Sequence, residues 1–321
     1  MEQQAKSNTN FAADIREGLS SSPKVLSSKY FYDDEGSRLF QEIMALPEYY
    51  VTRAELEIFS TQTAEICEAF KYQGLPFDLI ELGAGDGTKT AFLIEYLLDR
   101  NIDFNYVPID ISEEAISILT KKFERSFPML SMVPQMGDYF QILENLKSAG
   151  GRRKIILFLG SSIGNFLPGE QEIFFKKLEK AINKEDRLLI GFDLQKDPKT
   201  ILRAYDDEKG VTARFNLNLL ERINRELGGN FDLSNFSHFA VYSPIEGAAK
   251  SFLISRAAQS VFIEELGLEF SFARWEPIFM EISQKYSLKM IENISETCSF
   301  RIERNFFDSN DFFTNSLWAP V

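Results

Sequence analysis

The sequence predicts a doubly wound α/β fold, and three observations carry that reading. Apolar segments of strand length alternate with helical segments from Pro76 to Asp193, a glycine-rich turn follows the first strand, and carboxylates follow the next two. Strands separated by helices pair in parallel and need cover on both faces.

Each element has its own signal. A helix is expected to begin at Thr52, because Thr52-Arg53-Ala54-Glu55 has the capping-box pattern ahead of Leu56, Phe59, Thr63, Ile66 and Phe70 at helical spacing. Phe77 to Leu82 reads as a strand, Gly83 to Gly87 as a turn and Lys89 to Leu98 as a helix. Tyr106 to Ile109 is a second strand, followed by a helix from Ser112 with Ala115, Leu119 and Phe123 on one face. Met129 to Val133, Ile155 to Leu159 and Leu188 to Phe192 supply three more strands, with a helix at Glu170 to Ile182 between the last two. The alternation then breaks. From about Gln195 to Glu281, polar helical stretches mix with aromatic strand candidates such as Phe252 to Ser255, as in an inserted region. A helix at Leu288 to Ile294, capped by Ser287, precedes strand candidates Arg301 to Phe307 and Phe312 to Trp318, joined by the turn Asp308 to Asp311.

Composition limits the function classes. A chain of 321 residues with 44% hydrophobic content can form one large domain or two ordinary ones. Lys+Arg of 35 against Asp+Glu of 48 gives a net charge of −13, which repels phosphate backbones and anionic membranes, so no nucleic-acid or membrane partner is expected. No apolar run approaches the roughly 18 residues of a membrane helix. The polar start, Met1 to Phe11, lacks a signal pattern, and a cytoplasmic location is expected. Cys67 and Cys298 are far apart and outside any Cys-x-x-Cys pattern, so they read as buried packing residues and no metal site is expected. The single histidine, His238, sits among apolar neighbours and reads as a hydrogen-bonded structural residue. A Ser-His-Asp triad or a histidine-bound metal is therefore hard to build.

In an open α/β sheet, ligands lie beyond the C-terminal strand ends. Glu81-Leu82-Gly83-Ala84-Gly85-Asp86-Gly87 occupies such an end, although a Gly-x-Gly turn alone is also a common tight connection. The dinucleotide fingerprint wants a small residue where Thr88 stands, which argues against a nicotinamide enzyme. Asp110 follows the second strand and can accept both hydroxyls of an adenosine ribose; Gly137-Asp138-Tyr139 follows the third and can accept from the adenine amino group. Each Asp alone reads equally as a helix cap. Together with the glycine turn they point to S-adenosylmethionine.

Several blocks are more specific. Tyr30 to Phe40 (YFYDDEGSRLF), Leu46 to Glu55 (LPEYYVTRAE), Phe158 to Phe166 (FLGSSIGNF), Arg203 to Thr212 (RAYDDEKGVT), Phe215-Asn216 and Glu281-Ile282-Ser283 resemble, in order and over nearly the whole chain, the histidine-specific Nα-methyltransferase family of ergothioneine biosynthesis. That resemblance implies a class I methyltransferase core at 54–195 and 284–321, its sheet ended by the closing hairpin. A substrate-binding domain would be made from 1–53 and 196–283. Position by position, Gly83, Gly85, Lys89, Asp110, Asp138 and Tyr139 are implied as cofactor contacts, with Tyr32 near the reacting end. Tyr49, Asn165, Tyr205, Glu281 and Ser283 are implied as histidine contacts, with methylation carried to the trimethyl product, hercynine. A monomer is expected.

Those residue types suit the chemistry. Methyl transfer from a sulfonium is an in-line displacement, so alignment and exclusion of water can supply most of the catalysis. No metal or covalent nucleophile is required, and no general base is identified. Glu281 and Ser283, two apart, face the same side of a strand and can take the imidazole N–H together. Singly, Tyr49 and Tyr205 also read as core aromatics, Asn165 as a helix cap and Glu281 as a surface charge. Ser251 stands where the family can carry a methionine beside the imidazole, which leaves a looser pocket. A sister branch acts on indole amino acids, and retention of Glu281 argues against that substrate. The alternatives are a methyltransferase of another aromatic amino acid such as tryptophan, and a non-catalytic S-adenosylmethionine-binding protein.

Overall fold

In the computed structural model, residues 2–71, 74–110, 112–148, 151–167 and 169–321 are described. The chain begins with α1 (Glu2–Ser20), β1 (Lys24–Val25), α2 (Asp34–Ala45) and α3 (Tyr50–Ala69). Next come β2 (Phe77–Leu82), α4 (Thr90–Asp99), β3 (Phe104–Asp110), α5 (Glu113–Ser126), β4 (Ser131–Met132), β5 (Gln135–Met136) and α6 (Tyr139–Ser148). β6 (Arg153–Phe158), α7 (Glu170–Ala181) and β7 (Arg187–Asp193) complete the alternating part. Then follow α8 (Pro198–Tyr205), α9 (Val211–Leu227), β8 (Phe236–Ser243), β9 (Ala248–Ser255), β10 (Gln259–Ile263), β11 (Leu268–Phe272) and β12 (Pro277–Gln284). The chain closes with α10 (Leu288–Thr297), β13 (Phe300–Phe307) and β14 (Phe313–Pro320).

These elements form two compact units, Met1–Tyr50 with Lys196–Ser283, and Val51–Gln195 with Gln284–Val321. In the second unit the sheet order is β13-β14-β7-β6-β2-β3-β4, with β5 also on β3. β2 pairs in parallel with both β3 and β6, so the strand order reverses at β2, and β14 closes antiparallel on β7. The sheet is doubly wound α/β with a terminal antiparallel hairpin. Its core gathers Ile80, Ile156, Phe175, Leu188, Phe192 and Trp318. Local chemistry sets the helix starts: Ser112 caps α5 by accepting from Ala115 N, and Ser287 caps α10 by accepting from Met290 N.

In the first unit the sheet order is β1-β12-β9-β8, and β10 and β11 form a separate hairpin. Its core joins Phe31, Leu219, Leu220, Ile223, Leu253, Ile278 and Met280. Asp207 begins α9 by accepting from Val211 N at 2.9 Å and Thr212 N at 2.8 Å; Gly228, at φ 65°, ends it.

Two expectations need correction. The strand read at Met129 to Val133 is only the pair Ser131–Met132, with Met129 87% exposed, because this sheet edge offers hydrogen bonds on one side only. The helix read from Thr52 begins at Tyr50, and Glu55 makes no capping box: it is fully buried and bonded elsewhere. Among the described residues, no helix is long and apolar enough to cross a membrane.

Candidate active site

In the second unit, β2 feeds the turn that bears Gly83, Gly85 and Gly87, all with positive φ. Among the described residues, a Cβ at Gly83 or Gly85 would meet nothing within 4 Å, whereas one at Gly87 would meet Leu119 and Phe123 at 2.6 Å. The first two glycines therefore leave bare backbone that a ligand can approach, and the third packs the turn onto α5. Gly83 N donates to Ile109 O at 2.9 Å, which ties this turn to the end of β3.

Asp110 ends β3, half-buried, and accepts from Ser112 N at 2.9 Å. Asp138 is exposed and accepts from Gln141 N at 3.0 Å in the first turn of α6, the bond of a helix cap. A carboxylate with one such bond keeps further acceptor positions for a ligand. Tyr139 is half-buried against Phe140 and Phe174, and burial, followed by the charge of Asp138, raises its pKa.

Lys89 lies just before α4, and its ammonium is 2.5 Å from Glu55 Oε2. Gly160 N donates to the same carboxylate at 3.0 Å. Gly160 belongs to the loop after β6 that carries Asn165, which is exposed at the end of the short turn Ser162–Asn165. The next helix takes Gly169 as its cap residue, so Asn165 does not cap it. The loop is anchored from below: Tyr286 OH donates to Ile163 O at 3.1 Å, and Asp193 N donates to Ser161 Oγ at 3.1 Å. Asp193 is itself in a fully buried ion pair with Lys285 at 2.7 Å.

The first unit holds the other set. Tyr205 ends α8, buried, and its hydroxyl donates to Ser283 Oγ on β12 at 2.8 Å. A row of aromatic contacts runs from there, with centroids at 6.4 Å for Tyr205 and Tyr49, 6.2 Å for Tyr49 and Phe40, 5.4 Å for Phe40 and Tyr32, and 5.6 Å for Tyr32 and Phe215. The Tyr32 ring is half-exposed, yet its hydroxyl is enclosed: burial, then the charges of Glu281 and Tyr205, raise its pKa so that it stays a neutral hydroxyl. Tyr32, Tyr49, Tyr205, Glu281 and Ser283 thus belong to one neighbourhood. Ser251 is buried on β9, the strand beside β12, opposite Ala240.

His238 Nε2 is 3.0 Å from the Tyr205 carbonyl. A carbonyl only accepts, so Nε2 carries the proton; Nδ1 is buried with no hydrogen-bond partner among the described residues, and burial lowers the pKa. The one histidine supports the end of α8 that carries Tyr205. Sequence reading did not find Glu55, Phe40 or Phe215 as members of these neighbourhoods. For Glu55 the signal was present, since it shares with Val51, Ile58 and Phe59 the spacing of a buried helix face.

A doubly wound sheet whose order reverses at a glycine cradle, with a lysine and two strand-end carboxylates around it, defines a class I S-adenosylmethionine-dependent methyltransferase. The chain belongs to the family described as histidine-specific, SAM-dependent methyltransferases, whose model matches residues 11–320. The histidine N-alpha-methyltransferase of Mycolicibacterium smegmatis is 38% identical over 273 residues, covering 85% of this chain and 83% of that protein. The L-tryptophan methyltransferase of Psilocybe serbica is 28% identical over 324 residues, covering 91% and 87%. Among solved structures, magnesium protoporphyrin IX methyltransferase from Synechocystis PCC 6803 with bound SAH has a TM-score of 0.48 at 13% identity, covering 92% of this chain and 98% of that one.

Proposed function

We propose that this enzyme methylates the α-amino group of L-histidine, up to the trimethyl product hercynine, as the likeness to the ergothioneine-pathway family implies. The observation that carries the reading is the hydroxyl pair Tyr205–Ser283 beside Glu281 at one end of an aromatic row. Ser283 Oγ accepts from Tyr205, and a serine hydroxyl can donate as well as accept, so this group can serve an unprotonated ring nitrogen. Glu281, a carboxylate two residues away on the same strand, accepts from the other ring N–H. An imidazole offers both functions at once; an indole offers only the N–H.

Bound S-adenosylmethionine supplies an electrophilic methyl group on sulfur. Gly83, Gly85, Lys89, Asp110, Asp138 and Tyr139 would hold it, and the open space over the two glycines fits a ligand lying on bare backbone. Tyr49 and Tyr205 would hold the amino acid's amino and carboxylate groups, a role the family likeness also implies for Asn165, and such a grip gives the nitrogen lone pair a fixed direction. Each transfer moves positive charge onto nitrogen, and the faces of Tyr32, Phe40 and Tyr49 tolerate the growing ammonium through cation–π attraction. The neutral hydroxyl of Tyr32 is a donor and not a base. A cytoplasmic monomer without nucleic-acid or membrane partners is part of the proposal, supported by the net charge of −13. A second reading, methylation of another aromatic amino acid, is favoured by Ser251, which stands where the family can carry a methionine and would leave more room for a larger ring.

The test is kcat/KM for histidine, tryptophan and phenylalanine in wild type and Glu281→Ala. A site built to hydrogen-bond a ring nitrogen loses roughly 1–3 kcal/mol when that bond is removed, about tenfold to a hundredfold. Histidine activity should fall by that factor, affinity for S-adenosylmethionine should hold, and preference should move toward tryptophan or phenylalanine. Equal losses for all three amino acids would mean that Glu281 supports the fold without reading the ring.

A further inference from the structure

We infer that Glu55 is a positioning residue for the cofactor's amino-acid end, acting through Lys89; the inference rests on the assignment of Lys89 to the cofactor. Glu55 is fully buried on α3. Its carboxylate takes the Lys89 ammonium at 2.5 Å and Gly160 N at 3.0 and 3.1 Å on its two oxygens. Three segments therefore converge on one carboxylate: α3, the residue before α4 and the loop after β6. They meet beside the reversal of strand order between β2 and β6, where open α/β sheets bind ligands.

The space for this carboxylate is kept by a glycine. A Cβ at Gly191 on β7 would collide with Glu55 Oε1 and come within 2.9 Å of Phe313. A lysine ammonium is a point charge on a flexible four-carbon stem, with three hydrogens to donate. Glu55 takes one, which fixes where the ammonium stands and leaves two for the carboxylate of an amino-acid ligand. The charges of Lys89 and Glu55 also cancel at a distance. The pair therefore suits a zwitterionic amino-acid end, while a pyrophosphate would meet no net positive charge.

The experiment is titration calorimetry of S-adenosylhomocysteine into wild type, Glu55→Gln, Lys89→Met and the double variant, together with histidine KM at saturating S-adenosylmethionine. Glu55→Gln keeps the shape and removes the charge. Its affinity should fall by about tenfold or more, the scale of one charge-assisted hydrogen bond, with histidine KM within about twofold of wild type. In the Lys89→Met background the same substitution should cost little, because its effect runs through the lysine. If Glu55→Gln does not fold, Glu55→Asp replaces it: the charge stays but is one methylene too short to reach the ammonium and Gly160 N together, and the same pattern is expected. Losses that persist in full without Lys89 would make Glu55 a structural residue and overturn the inference. A weakened Lys89→Met beside an unchanged Glu55→Gln would overturn it alone, whereas an unchanged Lys89→Met would remove Lys89 from the cofactor contacts and the inference with it.

Discussion

Replacing Glu81 with Gln should flatten the dependence of stability on pH between about 5 and 8. Glu81 lies at 3% exposure on β2, and its Oε2 accepts from Tyr106 OH at 2.6 Å. Burial raises its pKa from 4.5 to about 7, against the smaller lowering effects of the Tyr106 hydrogen bond and the Lys89 charge. Above pH 4.5 the unfolded chain has lost this proton while the folded protein still holds it. The stability it contributes is therefore complete below 4.5 and is lost as the pH rises through about 7. A shift of about 2.5 units at about 1.4 kcal/mol each makes the full loss about 3.5 kcal/mol. Gln is neutral throughout and its carbonyl can still accept from Tyr106. His238, held below its ordinary pKa by burial, pulls stability the opposite way on acidification, so the informative quantity is the difference between the two proteins. Urea unfolding without cofactor at half-unit steps from pH 5 to 8 measures it. Wild type should lose about 2.5 kcal/mol relative to Glu81→Gln across the series, the part of the change that falls between about pH 5 and 8; parallel curves would show that Glu81 does not hold its proton in the folded state.

Asp110→Ala should weaken S-adenosylmethionine binding by roughly 1.5–3 kcal/mol for each ribose hydrogen bond lost, read by calorimetry; unchanged affinity in a folded variant would remove Asp110 from the cofactor site. Tyr205→Phe deletes the hydroxyl that donates to Ser283 and should lower kcat/KM for histidine by roughly tenfold while S-adenosylhomocysteine affinity stays within about twofold. Asn165→Ala should likewise reduce turnover at saturating cofactor with the fold intact, and a normal rate with normal substrate affinity in both variants would place the amino-acid clamp elsewhere.

Legibility followed periodicity. β2 was readable to the residue because Phe77, Leu79, Ile80 and Leu82 form a short apolar-rich segment bounded by turn residues, and α5 because Ser112, Leu119 and Phe123 carry its cap and its buried face. Met129 to Val133 is apolar without being buried: that edge of the sheet leaves Met129 and Val133 exposed, so apolar character there does not signal a strand. In the inserted region, strand pairing alone brings distant residues side by side. Glu281 and Ser283 were readable as one face of a strand, yet nothing local ties Ser283 to Tyr205, 78 residues away. The aromatic row was hidden for the same reason: Tyr32, Phe40, Tyr49, Tyr205 and Phe215 come from three helices and two loops.

The acids near the C-terminal end of the sheet show why residue type alone could not assign roles. Glu55 meets an ammonium and a backbone N–H, from positions 34 and 105 residues away. Glu81 meets a tyrosine hydroxyl 25 residues away in a buried site, and its pKa rises to about 7. Asp110 accepts from the N–H of Ser112, two residues on, and remains half-exposed. A carboxylate with a local partner and solvent access keeps lone pairs for a ligand's hydroxyls, which is why Asp110 could be nominated from its place after a strand. A buried carboxylate is committed to whatever the fold brings to it. Glu55 looked like a helix cap in sequence because its neighbours Thr52, Arg53 and Ala54 fit that pattern; Lys89 and Gly160 decide its chemistry, and only the folded chain puts them beside it.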